Sequence, residues 1–301
     1  MGIGELAAAA AAFCWACSSV IYGRTRLNAW TINFAKNLFG LGFVTLHLIA
    51  LWMLGENGLF SFGASAWMYL AISGIVGIAI GDTFYFRSLQ ILGPRRSLVV
   101  STSTPIFGAI IGWWMLDEFV PWWSLVGILI TITGIAVVVL DKQARKESPG
   151  HFPGSEWIGV GCGLVAAICQ ASGGAISKIA MEECSALEAT FVRLLAAVVI
   201  GIISLPFLRR SKLKLSLIFD KSNLQLLLPA AALGTWLGIW CSQIGFYYTS
   251  VAIATMLMST SPLFAIPLVR FFDGHRISSR AIWGTLIALF GIAMALHFSF
   301  S

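Results

Sequence analysis

The stretch 101-STSTPIFGAI-110 places four hydroxyl residues directly before a proline, inside a segment that is otherwise apolar. A second stretch, 258-MSTSPLFAIP-267, repeats nearly the same pattern, and its Pro262 lies 157 residues after Pro105. The same offset relates three further pairs: Lys36 and Arg193, Gly127 and Gly284, and Gly134 and Gly291. Because one offset holds across separated segments, the sequence predicts an internal duplication.

The composition is that of a membrane protein. Of the 301 residues, 58% are hydrophobic and 11% are charged, and the mean hydropathy is +0.88. A soluble domain of this size needs more polar surface, whereas a bilayer core about 30 Å thick needs roughly 20 apolar residues per helix. Ten such segments fit between the charged breaks, at 5–22, 30–54, 65–91, 96–116, 121–140, 157–177, 187–208, 224–248, 251–271 and 280–298.

The segments are predicted to be helices arranged as two inverted repeats. The apolar runs are long and continuous, which excludes the alternating segments of about ten residues that build a membrane β-barrel. Each copy holds five segments, and the connection at 141–156 is too polar to cross a bilayer, so the second copy must be inverted. We therefore predict an all-α integral membrane protein with ten transmembrane helices, in a first repeat at 1–140, a linker at 141–156 and a second repeat at 157–301. Inverted repeats are typical of secondary transporters, whose sites lie near the midplane.

The distribution of basic residues predicts the orientation in the membrane. Loops that follow odd-numbered segments hold 14 of the 19 lysines and arginines. Positive loops face the cytoplasm. This places both termini on the extracytoplasmic side of a cell (inner or plasma) membrane.

Two blocks resemble a known family. Residues 78–118 and 125–140 resemble the third to fifth helices of an EamA-type repeat of the drug/metabolite transporter superfamily, with a hydroxylated stretch leading to a proline and an acid closing the fourth helix. Residues 237–298 repeat this pattern, except that Asp117–Glu118 is replaced by Asp273–Gly274–His275. The resemblance implies a carrier for small metabolites, commonly an exporter of amino acids or related compounds, that works by alternating access.

These observations predict a secondary-active transporter, in the export direction, whose partners are a small-molecule substrate and the lipid bilayer. No nucleotide-binding loop is found in the sequence, so transport would draw on proton coupling or exchange. An alternative is a carrier or flippase of lipid-linked or nucleotide-linked substrates. A membrane enzyme or scaffold is less favoured, because His47 and His297 are isolated on their segments and no paired carboxylates occur there. We predict no enzymatic activity, cofactor, metal or nucleic-acid partner.

Three charged residues within the apolar segments are candidates for transport, because charge in a membrane is costly and usually functional. Lys36 and Asp82 are predicted at similar depth, where they form either a structural ion pair or a proton-coupling site at Asp82. Arg193 has no equivalent acid, because the position matching Asp82 is Ile239. It is predicted either to bind a substrate carboxylate or phosphate, or to pair with Glu188 or with Asp117–Glu118.

Aromatic and polar residues of other helices are candidates for the wall of a substrate pathway. Trp236, Trp240, Gln243 and Tyr247 share one face of helix eight by spacing, and Trp15 and Gln170 could complete a chamber. The alternative is ordinary packing between helices.

The hydroxyl residues before each proline have two possible roles. Proline removes a backbone donor and crowds the carbonyl four residues earlier, so each helix should bend or open there. We predict that Ser103, Thr104, Thr260 and Ser261 line the pathway while Pro105 and Pro262 supply the bend. Alternatively, the hydroxyls only satisfy backbone groups locally.

Overall fold

A computed structural model describes residues 2–22, 24–25, 27–56, 58–92, 97, 100–139, 155–208, 215–264, 268 and 279–299. Within these residues the chain forms ten helices. They are α1 (Ile3–Tyr22), α2 (Ala29–Met53), α3 (Ala64–Leu92), α4 (Thr104–Leu116), α5 (Trp122–Val139), α6 (Glu156–Ala180), α7 (Ala186–Leu208), α8 (Lys221–Tyr248), α9 (Val251–Phe264) and α10 (Ser279–Ser299). A short 3₁₀ helix, Leu215–Phe219, precedes α8.

The predicted fold class is confirmed: the described chain is all-helical, with the ten helices expected from the sequence. Six of them, α1, α2, α3, α6, α7 and α8, are long and apolar enough to cross a membrane. The other four are shorter apolar helices, and the predicted segments 96–116 and 251–271 extend beyond the described parts of α4 and α9. Most of the predicted linker, residues 141–154, lies outside the described residues.

The core of the bundle consists largely of small side chains. On α1, Ala8, Ala11, Ala12 and Ala16 are completely buried, and this face packs against α8 and α9. Large apolar side chains such as Phe290, 65% exposed, point outward instead. An apolar outer surface fits lipid, and a core of small residues lets helix backbones approach closely.

Helices α5 and α10 are held together by glycines that the repeat relates to each other. A Cβ atom added at Gly127 would lie 2.8 Å from the carbonyl oxygen of Gly291, and one added at Gly134 would lie 2.7 Å from that of Gly284. The offset of 157 residues maps Gly127 onto Gly284 and Gly134 onto Gly291. Each contact is therefore the symmetry copy of the other, as two inverted repeats require.

The third helix of each repeat contains a π-helical segment at the same place. In α3 this segment is Gly74–Gly81 and in α8 it is Ala231–Leu237, and the repeat offset places the two at the same positions. A π-helix pairs residues five apart, which widens the turn and leaves carbonyls to be satisfied by other donors. Asn33 donates to the carbonyls of Ile78 and Ala79 at 3.0 and 3.1 Å, and the indole of Trp15 donates to that of Gly234 at 2.9 Å.

The two proline stretches interrupt the fourth helix of each repeat. Turns occur at Thr102–Ser103 before α4 and at Ser259–Thr260 within α9, and Pro105 lies in the first turn of α4. The hydroxyls of Thr104 and Ser261, at equivalent positions, donate to the carbonyls of Ser101 and Met258 at 2.7 and 2.8 Å. These are the carbonyls four residues before each proline, so the side chains replace the amide donors that proline lacks.

Candidate substrate cavity

A cavity of about 190 Å³ lies between the two repeats. Helices α3 and α8 line it with equivalent positions: Ile78 matches Thr235, Asp82 matches Ile239, Tyr85 matches Ser242, and Leu89 matches Phe246. Thr104 at the start of α4 and Ser101 just before the preceding turn also line it, as do their counterparts Ser261 and Met258 in α9. The cavity is therefore bounded by the π-helical segments and by the two interrupted helices.

Lys36 and Asp82 form an ion pair at the wall of this cavity. The Nζ atom of Lys36 lies 2.7 Å from the Asp82 carboxylate and also donates to the Oδ1 atom of Asn37 at 2.9 Å. Asn37 in turn donates to Asn33 at 3.0 Å. The network fixes α2 against the π-helical segment of α3, since Asn33 also binds the carbonyls of that segment. The predicted pair is thus present in the structure, while its role in transport stays a prediction.

Arg193 lies in α7 and also lines the cavity, although only 5% of it is exposed. Its backbone packs on the π-helical segment of α3, where a Cβ atom at Gly74 would lie 2.7 Å from the Cα atom of Arg193. The Nε atom has no hydrogen-bond partner within the described chain. Of the three carboxylates considered from the sequence, two bind other groups: Glu118 pairs with Lys178, and Glu188 accepts from the backbone amides of Phe60 and Ser185. The third, Asp117, forms no ion pair with Arg193 among the described residues.

The structure brings eight of the thirteen predicted pathway residues to the cavity wall: Trp15, Lys36, Asp82, Thr104, Gln170, Arg193, Ser261 and Pro262. The remaining five, Ser103, Pro105, Trp240, Gln243 and Thr260, do not line it. The hydroxyls of Ser103 and Thr260 donate to the carbonyls of Val100 and Leu257, at 2.7 and 2.6 Å. For this pair of hydroxyls the geometry matches the local backbone role that the sequence left open.

The stripe expected on α8 faces away from the cavity. Trp240 packs edge-on against His47, with ring centroids 5.0 Å apart, and Gln243 is fully buried against the hydroxyl of Ser177. The cavity is instead lined by the stripe one residue earlier, which runs Thr235, Ile239, Ser242 and Phe246. The predicted spacing along α8 therefore occurs at the cavity wall, but on the neighbouring face of the helix, one residue earlier.

Sequence reasoning missed several aromatic and polar residues of the wall. Tyr22, Tyr85 and Phe86 lie beside the charged groups, and Asn33 and Asn37 support them from behind. The spacing of Asn33, Lys36 and Asn37 at i, i+3 and i+4 was a usable signal, because it marks one polar face of α2. Tyr22 and Tyr85 carried no comparable signal, since aromatic residues are common on lipid-facing positions as well.

At one end, contacts between the two repeats close the bundle. A Cβ atom at Gly108 would lie 2.6 Å from the hydroxyl oxygen of Thr255, so α4 and α9 touch there. Beyond this contact, Asp117 adopts a left-handed conformation with φ of 51° and ends α4. Glu118 then accepts from the backbone amide of Val251 at 2.7 Å and pairs with Lys178 at 2.5 Å. We call this group, Glu118, Lys178 and Val251, the Glu118 latch.

Ten helices in two inverted repeats, with a cavity between them that holds Lys36, Asp82 and Arg193 in an otherwise apolar bundle, are the architecture of a multi-pass membrane transporter. The sequence model of the EamA-like transporter family matches residues 2–140 and 157–296. The chain therefore belongs to the EamA-like transporter family, as the repeated proline stretch in its sequence predicted.

Two curated relatives are similar to the chain. An uncharacterized transporter of Synechocystis sp., sll1164, is 28% identical over 119 residues, which cover 40% of this chain and 34% of that protein. This match therefore spans about a third of the relative's length. Protein LicB of Haemophilus influenzae is 23% identical over 286 residues, which cover 94% of each chain.

A solved crystal structure of a protein shares the fold. It superposes with a TM-score of 0.77 over 98% of this chain and 97% of the other, at 14% sequence identity. At that identity the likeness concerns the arrangement of the helices alone.

Proposed function

We propose that the protein is a secondary-active carrier that exports small organic solutes, such as amino acids or related metabolites, by alternating access. The observation that carries this proposal is the cavity lined by equivalent positions of both repeats. A site placed between inverted repeats can be exposed first to one face and then to the other when the repeats rock against each other. The export direction rests on the family resemblance.

The interrupted helices supply the means for such a movement. Thr104 and Ser261 already satisfy the carbonyls before the prolines, so bending at these turns breaks no main-chain hydrogen bond across the proline. Separating α4 from α9 would require the Glu118 latch and the contact at Gly108 to open. The driving force would be a gradient of solute or protons, because the sequence holds no nucleotide-binding loop.

Flux into proteoliposomes tests the carrier. Purified protein is reconstituted, and uptake is measured for a panel of amino acids and other small metabolites, with empty vesicles as control. We expect at least one solute to move faster than in empty vesicles and to show countertransport when present on both sides. Flux that never exceeds the control for any solute would refute the carrier. Movement of only nucleotide-linked or lipid-linked compounds would favour the alternative substrates named above.

Asp82 is the proposed proton site, supported by its position at the cavity wall beside Lys36. Replacing Asp82 by Asn removes the titratable carboxyl while keeping the shape of the side chain. We expect Asp82→Asn to abolish uptake driven by a pH gradient, while Asp220→Asn, which alters an exposed residue, leaves it unchanged. If proton-driven uptake persists in Asp82→Asn, the ion pair is structural.

For orientation, we propose that both termini lie on the extracytoplasmic side. The proposal is supported by the placement of basic residues in the loops after odd-numbered helices. Reporter fusions at Ser301 and near Gln143 should then report opposite sides of the membrane, with the Gln143 fusion cytoplasmic. Reports from the same side for both fusions would contradict this topology.

A further inference from the structure

The two repeats place a cation at the same position but provide a partner for only one of them. Lys36 in α2 matches Arg193 in α7 under the repeat offset. Lys36 is held by Asp82 at 2.7 Å and by Asn37 at 2.9 Å. The positions that correspond to these partners around Arg193 are Ile239 and Leu194, which are both apolar. The second repeat therefore supplies no counter-charge of its own, and Arg193 shares the carboxylate of Asp82, which attracts it through space, with Lys36.

Arg193 borders the cavity and has little access to water, since only 5% of it is exposed. Its guanidinium packs against the backbone of α3, where a Cβ atom at Gly77 would lie 3.1 Å from the Nη2 atom. The buried Nε–H group has no acceptor in the described chain. A buried donor without an acceptor is costly, so an acceptor supplied from the cavity would stabilise this arrangement.

The charges of the lining residues determine which ligand would neutralise the cavity. Among the described lining residues, Lys36 and Arg193 are cationic and Asp82 is anionic, so one positive charge is left over. Tyr22 lines the same cavity. A planar guanidinium binds a carboxylate through two parallel hydrogen bonds.

We propose that Arg193 binds the carboxylate of the transported solute, in the place that Asp82 takes beside Lys36. The ligand class is a small organic acid with one carboxylate. A monoanion neutralises the excess positive charge of the cavity, whereas a zwitterion places a carboxylate beside Arg193 without changing the net charge. A phosphate monoester carries about −1.5 to −2 charges at neutral pH and would overcompensate it. The identification of this ligand as the transported solute rests on the proposed function, whereas binding at Arg193 does not.

Binding to the purified protein in nanodiscs at pH 7 tests the proposal. The probes are matched sets built on several short aliphatic and aromatic skeletons, such as leucine, leucinamide, 4-methylpentanoate and 3-methylbutyl phosphate. We expect acids to bind at least tenfold more tightly than their amides and than the phosphates, by calorimetry and by the rise in the unfolding temperature. Equal affinity for acid and amide, tighter binding of the phosphate, or binding of no acid at millimolar concentration would overturn the proposal.

Variants of the site separate ligand binding from folding. Arg193→Gln should weaken acid binding at least tenfold, whereas Arg280→Gln, the same change at an exposed arginine of α10, should not alter it. Ile239→Asp places a carboxylate at the position equivalent to Asp82. It should occupy Arg193, keep the protein folded and lower acid affinity at least tenfold, while Ile239→Asn should lower it less. Acid binding that is unchanged in both Arg193→Gln and Ile239→Asp would refute a role for Arg193.

The experiments distinguish a protein that does not bind carboxylates at Arg193 from a protein that does not transport solutes. If flux of a neutral or cationic solute is observed and persists in Arg193→Gln, the protein is a carrier and the proposed recognition of a carboxylate by Arg193 is refuted. If acids bind through Arg193 but no solute is ever transported, the carboxylate site is supported and the proposed transport function is refuted.

Discussion

At the scale of single residues, the charged groups of the cavity differ in how they are compensated. Lys36 has both a carboxylate and an amide oxygen within hydrogen-bond distance. The Nε atom of Arg193 has no hydrogen-bond partner among the described residues. The difference follows from four side chains, Asp82 and Asn37 in one repeat and Ile239 and Leu194 in the other. Duplication supplied two similar sites, and these substitutions made one of them a closed ion pair and the other an open cation.

The Lys36–Asp82 pair is expected to show strong coupling in stability. Removing one partner of a buried pair leaves an uncompensated charge and costs about 3–5 kcal/mol. Asp82 is partly exposed to the cavity, with 23% of its side chain accessible, so the lower end of this range applies. We expect Lys36→Met and Asp82→Leu each to lower the unfolding temperature clearly, and the double variant to lower it less than either. Additive losses in the double variant would show that the two charges do not stabilise each other.

Cys184, in the turn between α6 and α7, should react slowly with alkylating reagents. Burial, together with the carboxylates of Glu188 and Glu183, raises the pKa of the Cys184 thiol to about 12, from its usual 9.0. The thiolate is the reactive form, so alkylation at pH 8 should be at least tenfold slower than at an ordinary exposed thiol and should accelerate toward pH 12. The measurement uses a chain that keeps only Cys184, compared with a cysteine-free chain carrying Ser279→Cys. Equal rates at pH 8 would contradict the raised pKa.

At the scale of elements, the interrupted helices show how the sequence compensates for proline. Thr104 donates to the Ser101 carbonyl because Pro105 has no amide hydrogen to offer. Thr104→Val should therefore leave that carbonyl unsatisfied, at a cost of about 1–3 kcal/mol. Adding Pro105→Ala supplies an amide that can reach the same carbonyl and should recover most of the lost unfolding temperature. If the second change brings no recovery, the hydroxyl does not act in place of the amide.

The glycine contacts between α5 and α10 set the spacing of these two helices. A Cβ atom at Gly134 would lie 2.7 Å from the carbonyl oxygen of Gly284, on a neighbouring backbone that cannot rotate away. We expect Gly134→Ala to destabilise the protein by about 1–3 kcal/mol, as overpacking usually does. Gly161→Ala in α6 is the matched control, because a Cβ atom there meets no atom within 4 Å. A helical alanine replacing a glycine should be neutral or slightly stabilising at that position, so equal losses in both variants would exclude a specific role of the α5–α10 contact.

At the scale of the whole molecule, the Glu118 latch links the two repeats at one end of the bundle. Glu118 comes from the first repeat, whereas Lys178 and Val251 come from the second. A carboxylate that pairs with a lysine and caps the start of α9 stabilises the closed arrangement of this end. Opening at this end would have to break both interactions.

The latch should control access to the cavity from its end of the bundle. In a cysteine-free chain, Ser259→Cys places a thiol at the cavity wall. We expect Glu118→Gln to increase labelling of this thiol by a membrane-impermeant reagent several-fold, because the ion pair is lost. Glu56→Gln alters an exposed carboxylate and serves as control. An unchanged labelling rate in Glu118→Gln, measured from both sides of the membrane, would show that the latch does not hold this end closed.

The sequence by itself determined the ten helices, the duplication and the charged residues worth considering. These properties depend on composition and on a constant offset between the repeats. Both can be read from the chain without knowing which distant residues are in contact. Of the eight proposed pathway residues at the cavity wall, six carry charged, amide or hydroxyl groups, which rarely face lipid when they occur in apolar segments.

Only the tertiary structure decided which face of α8 lines the cavity and whether Glu188 or Glu118 pairs with Arg193. In water, polar residues mark the outer face of a helix, but in a membrane the lipid-facing side is as apolar as the core. By periodicity, Trp240 and the neighbouring Ile239 were therefore equally plausible as residues that line the cavity. In the structure Trp240 packs against His47 of α2 instead. Contacts elsewhere likewise decided that Glu118 pairs with Lys178 and that Glu188 binds backbone amides, because no spacing in the chain records which distant groups meet.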